Sequence, residues 1–247
     1  MKTLIMSDEH YIQYLPIPTL IIFNLDVYMD LKIISGVTLL SIILIVVALL
    51  IPETKTTETH GLPWQIEQLE GSTRVFGLTL GNSTLSDAES LFLGDSEISL
   101  FQSQQGVHTL EAYFDKIELG GLTAKMILIL DIPADELSMM FQRGVRISKV
   151  GSGSNKVSIA TEDLHQARKA SIASITYLPA VNLDAKQLES RFGMPEKRVM
   201  EPDSTAEHWL YPALGLDVTL NKEEKEILQY VNPADFLQIS QPLEATK

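Results

Sequence analysis

The chain has 247 residues, with 19 Lys and Arg against 32 Asp and Glu, and no cysteine. The missing cysteine excludes disulfides, zinc–thiolate and iron–sulfur sites, a thiol nucleophile and a lipidated-cysteine anchor. A net charge of −13 argues against nucleic acid as a partner, because phosphate binding needs clustered Lys and Arg.

Mean hydropathy is +0.10 although 21% of residues are charged, which points to apolarity concentrated in one place. That place is Leu31 to Ile51, LKIISGVTLLSIILIVVALLI, where Lys32 is the sole charge. At 1.5 Å per residue a helix of this length spans roughly 31 Å, the thickness of a bilayer's hydrocarbon core. The segment predicts a single transmembrane helix. No pair of small residues follows it, so it reads as an uncleaved signal anchor rather than a cleaved peptide.

Residues 1–30 read as an N-terminal extension, and Met29-Asp30-Leu31-Lys32 offers an alternative translation start. The flanking charges, Lys2 and Lys32 against Asp8, Glu9, Asp26 and Asp30, give a weak orientation signal. The expected placement is the inner membrane, with the C-terminal module in the periplasm. Residues 52–63 begin polar and Thr-rich (PETKTTETHG) and predict a linker. Packed structure is expected from Trp64 onward.

The remainder repeats itself at an offset of 100. Asn82 to Phe92 (NSTLSDAESLF) matches Asn182 to Phe192 (NLDAKQLESRF), with Asn, Glu, Ser and Phe identical in place. Ile127 to Leu137 (ILILDIPADEL) matches Ile227 to Leu237 (ILQYVNPADFL) in the same register. Two separated matches in one register predict a tandem duplication: repeat 1 over 64–150, a connector over 151–170 and repeat 2 over 171–243.

Each copy opens with an apolar strand, Arg74 to Leu80 or Ile172 to Leu178. Capping side chains follow at Asn82-Ser83-Thr84 or Asn182-Leu183-Asp184. The apolar spacing of Leu85, Ala88, Leu91 and Phe92, or of Ala185, Leu188 and Phe192, then predicts a helix. Gly94 and Gly193 suit its termination.

Leu110 to Phe114 and Leu122 to Leu130 read as strands of the first copy. His208 to Tyr211, Leu214 to Leu220 and Glu226 to Val231 read as strands of the second, with a turn at Asn221 to Lys225. Pro-Ala-Asp in each copy starts a further helical turn. In the connector, Gly151 to Asn155 is a loop and Thr161 to Ala170 a helix with Thr161 as its cap. The expected fold class is α+β, a tandem repeat of a helix packed on a small antiparallel sheet behind one transmembrane helix.

The residues that could carry chemistry do not form a catalytic pattern. Among the five histidines no H-x-x-x-H pair occurs, and the acids nearest in sequence, Asp163 to His165 and Glu207 to His208, point to different faces. No G-x-S-x-G elbow is present. The Gly151-Ser152-Gly153-Ser154 run lacks the Lys-Ser/Thr of a phosphate loop. The acidic clusters Asp131/Asp135/Glu136 and Glu223/Glu224/Glu226 lack calcium-loop spacing. No catalytic residue, cofactor or metal is assigned. The candidate protein contacts are the equivalent acids Glu89 and Glu189 and the strand aromatics Trp209, Tyr211, Tyr113 and Phe114.

Leu188, Phe192-Gly193-Met194-Pro195, Trp209, Tyr211, Leu214 to Leu220 and Ile227 to Tyr230 give an order of elements that resembles the SmpA/OmlA domain. That family includes the small lipoprotein of the outer-membrane β-barrel assembly machine, and the β-lactamase inhibitory protein has a related tandem fold. The match covers about 60 residues of repeat 2, and the family's lipobox cysteine is absent. The resemblance implies a non-catalytic envelope domain that binds another envelope protein. The alternative it implies is an inhibitor or regulator of a secreted or periplasmic enzyme.

Overall fold

The computed structural model describes residues 61–151, 153–201, 204–221 and 224–245, all within the unit Thr56–Lys247. Three short strands, β1 (Glu67–Leu69), β2 (Ser72–Val75) and β3 (Leu78–Thr79), form a small antiparallel sheet. The other ten are β4 (Glu97–Gln102), β5 (His108–Leu119), β6 (Leu122–Asp131), β7 (Arg146–Lys149), β8 (Asn155–Ser158), β9 (Ser171–Pro179), β10 (Lys197–Met200), β11 (Glu207–Tyr211), β12 (Leu216–Leu220) and β13 (Ile227–Tyr230). They join in one antiparallel sheet in the order β10-β11-β12-β13-β9-β6-β5-β4-β8-β7. The helices are α1 (Leu85–Phe92), α2 (Ala134–Arg143), α3 (Thr161–Lys169), α4 (Ala185–Phe192) and α5 (Phe236–Ala245).

The repeat is therefore local, and the expected architecture of two helix-on-small-sheet copies is corrected. α1 and α4 occupy equivalent positions, each opened by a reciprocal cap, Thr84 with Asp87 and Asp184 with Gln187. The ILxx segments of β6 and β13 are both strands. Both pair antiparallel with β9 and so run parallel to each other. Leu128 and Tyr230 both lie opposite Ile175, so residues 128 and 228 point to the same face. Yet β5 lies on the side of β6 away from β9, and β12 on the side of β13 away from β9. A rotation carrying β6 onto β13 would put the β5 counterpart where β9 runs. The two halves are thus mirrored in strand order about β9, which fuses them into one sheet.

No helix among the described residues is long and apolar enough to cross a membrane. The expected transmembrane helix and signal anchor find no support in the described structure. Leu31 to Ile51 itself lies outside the described residues, as do the N-terminal extension and most of the 52–63 linker.

Residues alternate across the sheet. On its inner face, Leu100, Leu110, Ala112, Met126, Leu128, Ile175, Tyr177, Val218, Leu228 and Tyr230 are fully buried, in one core with Leu85 and Ala88 of α1, Met140 of α2, Ala167 of α3 and Leu188 of α4. The small sheet closes this core. The sequence expects an unbroken strand from Arg74 to Leu80, but Phe76 (φ 56) and Gly77 (φ 82) turn the chain between β2 and β3. Positive φ at both central residues is the hairpin geometry that matches strand twist. It buries Phe76 against Tyr177, stacked with centroids 4.9 Å apart, and against the edge of Tyr230 at 5.4 Å.

Gly215 marks a second close approach. Its φ is +63, and a Cβ there would stand 2.0 Å from the Val231 carbonyl oxygen, while its own carbonyl accepts from Val231 N–H at 2.8 Å. Gly215→Ala is expected to cost about 2 kcal/mol or more in urea denaturation, because both the backbone conformation and the contact must give.

Candidate functional site

The sheet's two faces are covered unequally. α5 packs on the outer face at one end, where Phe236 joins Val199 and Leu210, with Ile239 and Leu243 against them. Over β5, β6, β9 and β13 the outer residues Tyr113, Ile127, Ile129, Thr176, Leu178, Ile227 and Gln229 are only half-buried. Their inner-face neighbours on the same strands, from Ala112 and Phe114 to Leu228, are at most 3% exposed. The register places Tyr113, Ile127, Thr176 and Gln229 in one row across the sheet, with Lys125, Leu178 and Ile227 in the next.

Polar groups are set into this apolar stripe. Tyr113 OH donates to Asp115 Oδ1 at 2.7 Å, and Lys125 Nζ pairs with Asp115 at 3.1 Å. Glu111 stands opposite Ile129, and burial pushes its carboxyl above the usual range, partly offset by Lys156. Beside the stripe, a cleft of about 350 Å³ under the start of α5 is lined by Ile129, Asp131, Ser174, Gln229, Asn232 and Gln238.

Of the six residues expected to contact a partner, Tyr113 stands on this open face. Phe114, one residue on, points inward and is buried edge-on against Phe92 at 5.3 Å. Trp209 is 1% exposed, with its indole N–H donating to Glu207 at 2.8 Å and the Arg198 guanidinium 4.1 Å above its ring. Tyr211 is buried beside Phe192, and its OH donates to the Gly193 carbonyl at 3.1 Å. Desolvation pushes its pKa up to about 12. Trp209 and Tyr211 share a face, as their alternation requires, and that face is the core.

Glu89 and Glu189 each pair with an arginine on a different element. Glu89 binds Arg168 of α3 at 3.0 Å and accepts from the Ser96 hydroxyl at 2.9 Å. Glu189 binds Arg198 of β10 at 2.8 Å. The site carried by sequence-distant strands was not legible from motifs. The usable signal was alternation, since Ile127 and Ile129 break the inner-apolar, outer-polar pattern of a solvated sheet.

The acid–histidine pairs also regroup. Asp163 pairs with Arg143 at 2.6 Å rather than with His165, and His208 Nδ1 contacts Asp217 Oδ2 at 2.8 Å. The Thr219 hydroxyl lies 3.3 Å from the same Nδ1. A proton relay needs nucleophile and acid on opposite ring nitrogens, so this trio is a structural cluster. No group of three or more His, Asp or Glu among the described residues could hold a metal ion.

The hydrogen bond His208 donates to Asp217 outweighs burial and raises the His208 pKa above its ordinary 6.5. A raised folded-state pKa contributes stability that is complete below the ordinary value and lost as pH rises through the folded one. Wild type is therefore expected to exceed His208→Asn in stability by more at about pH 5.5 than at about pH 8.5, read by urea denaturation at both. An equal difference at both pH values would contradict the pairing.

No protein-family model, curated protein or solved structure matches the chain.

Proposed function

We propose that the chain is a protein-binding module that works without catalysis and whose contact surface is the open outer face, centred on Tyr113, Ile127 and Ile129. The observation that carries this reading is the burial asymmetry. Central strands of a ten-stranded sheet leave Tyr113, Ile127, Ile129, Leu178 and Ile227 only partly buried while the inner-face residues beside them are sealed. Contiguous exposed apolar surface rimmed by polar groups marks interaction sites in soluble domains, and an aromatic flanked by branched aliphatics supplies the rigid anchors of a binding hot spot.

Photo-crosslinking in the native cell tests it. With a benzoylphenylalanine at residue 113, a discrete adduct is expected that is absent when the same group replaces Leu93, which is 92% exposed but lies beyond the end of α1. Equal labelling from both positions, or none from 113, would overturn the reading. Identification of the adduct as a secreted or periplasmic hydrolase would favour the alternative, an inhibitor or regulator of that enzyme.

A further inference from the structure

A second surface lies at the end of the sheet. Among the described residues β7 pairs with β8 alone, so its far side is an open edge there. The Val150 N–H to Ser154 carbonyl bond at 2.9 Å, with the register Ser148 to Lys156 and Arg146 to Ser158, turns the main-chain groups of residues 146, 148 and 150 toward β8. The alternation then directs the N–H and C=O of Ile147 and Lys149 outward. The strand is held firmly. A Cβ on Gly144 would fall 2.2 Å from Val157, and β8 is tied to β4 by Asn155 to Gln102 and Lys156 to Glu97.

This edge differs chemically from the rest of the chain. Between Glu136 and Glu162 there is no acidic residue, whereas Arg143, Arg146, Lys149 and Lys156 all fall in that interval. Arg143 and Lys156 are engaged in ion pairs. Arg146 and Lys149, both exposed, have none among the described residues. Val145 and Ile147 beside them are 75% and 57% exposed.

We propose that β7 is a docking edge for an extended acidic segment of another protein, which adds as an eleventh strand. The free N–H and C=O groups of Ile147 and Lys149 would supply the ladder, and Val145 and Ile147 the apolar contacts. Arg146 and Lys149 would select acidic side chains on the incoming strand. A second copy pairing β7 to β7 fits poorly, because each edge would bring its own Arg146 and Lys149 against the other's. Lysine-rich edges also guard against self-pairing, and here the same charges that repel a copy attract an acidic strand. This docking edge is independent of the open face, and a failure at one leaves the other standing.

The test uses the full chain and two end-capped eight-residue peptides, one alternating Glu and Val and the other Lys and Val, followed by fluorescence anisotropy. The Glu–Val peptide is expected to bind at least about tenfold more tightly than the Lys–Val peptide. On binding, the amide protons of Ile147 and Lys149 should gain exchange protection. Ile147→Pro removes an outward N–H without touching the β7–β8 ladder, so it is expected to weaken binding about tenfold or more. Reversing both charges with Arg146→Glu and Lys149→Glu should invert the preference toward the Lys–Val peptide. The proposal is overturned if the Glu–Val peptide does not bind or binds no better than its Lys–Val counterpart. It is equally overturned if Ile147→Pro binds like wild type, or if inorganic polyphosphate binds Ile147→Pro and wild type alike and displaces the peptide, which would mark a plain polyanion site.

Discussion

Phe76→Ala is expected to lower the free energy of unfolding by about 3–5 kcal/mol, the range for removing a large aromatic from a core that cannot collapse around the gap. Phe76 is 1% exposed and contacts the rings of Tyr177 and Tyr230. The cavity would open where the small sheet seals the middle of the large one. A left-handed backbone at a bulky residue itself costs about 1–3 kcal/mol, so the ring's burial must exceed that cost for the turn to form. Phe76→Gly separates the two terms, because glycine relieves the backbone while leaving the same cavity. It should be more stable than Phe76→Ala and still far below wild type. Urea denaturation of the three proteins decides; a loss below about 1 kcal/mol for Phe76→Ala would contradict the packing role.

Ile127→Asp is expected to have the opposite profile. The residue sits mid-strand on the outer face, half-buried, so its stability cost should stay near about 1 kcal/mol, the span of strand propensities. A charge placed between Tyr113 and Thr176 would have to be desolvated by any partner lying on the face. Affinity for the partner captured at residue 113 should fall by about 2 kcal/mol or more, roughly thirtyfold. Titration calorimetry against that partner, alongside urea denaturation, separates the two effects. Unchanged affinity would remove Ile127 from the contact.

Local structure was largely legible in the sequence. The equivalent helices, their caps at Thr84 and Asp184, the hairpin joining β12 to β13 and the start of α2 after Pro133 all follow from short-range chemistry that each segment carries within itself. The α3 cap is an exception: Thr161 was expected to cap, but the capping position is Ala160 and Thr161 begins the helix. β7 and β10 are not legible because four-residue edge strands rich in Lys and Arg carry no apolar alternation, and β1, β4 and β8 also lie outside the strands expected from the sequence.

The union of both halves through β9 was hidden for a different reason. Identity at an offset of 100 reports common local conformation, whereas the side on which a hairpin pairs is set by contacts across the whole fold. The same limit applied to Trp209 and Tyr211. Alternation placed them on one face, but only the packing of α4 and the core makes that face the buried one. His208 found Asp217 across β11 and β12, a pairing that sequence adjacency to Glu207 could not suggest.

Methyl resonances of the intact chain, followed on addition of the protein captured at residue 113, decide whether the outer face meets a partner. The methyls of Ile127, Ile129, Leu178 and Ile227 are expected to shift or broaden together, while those of Leu93 stay in place. Shifts confined to Leu93 or to other residues off the outer face, with those four unchanged, would contradict it.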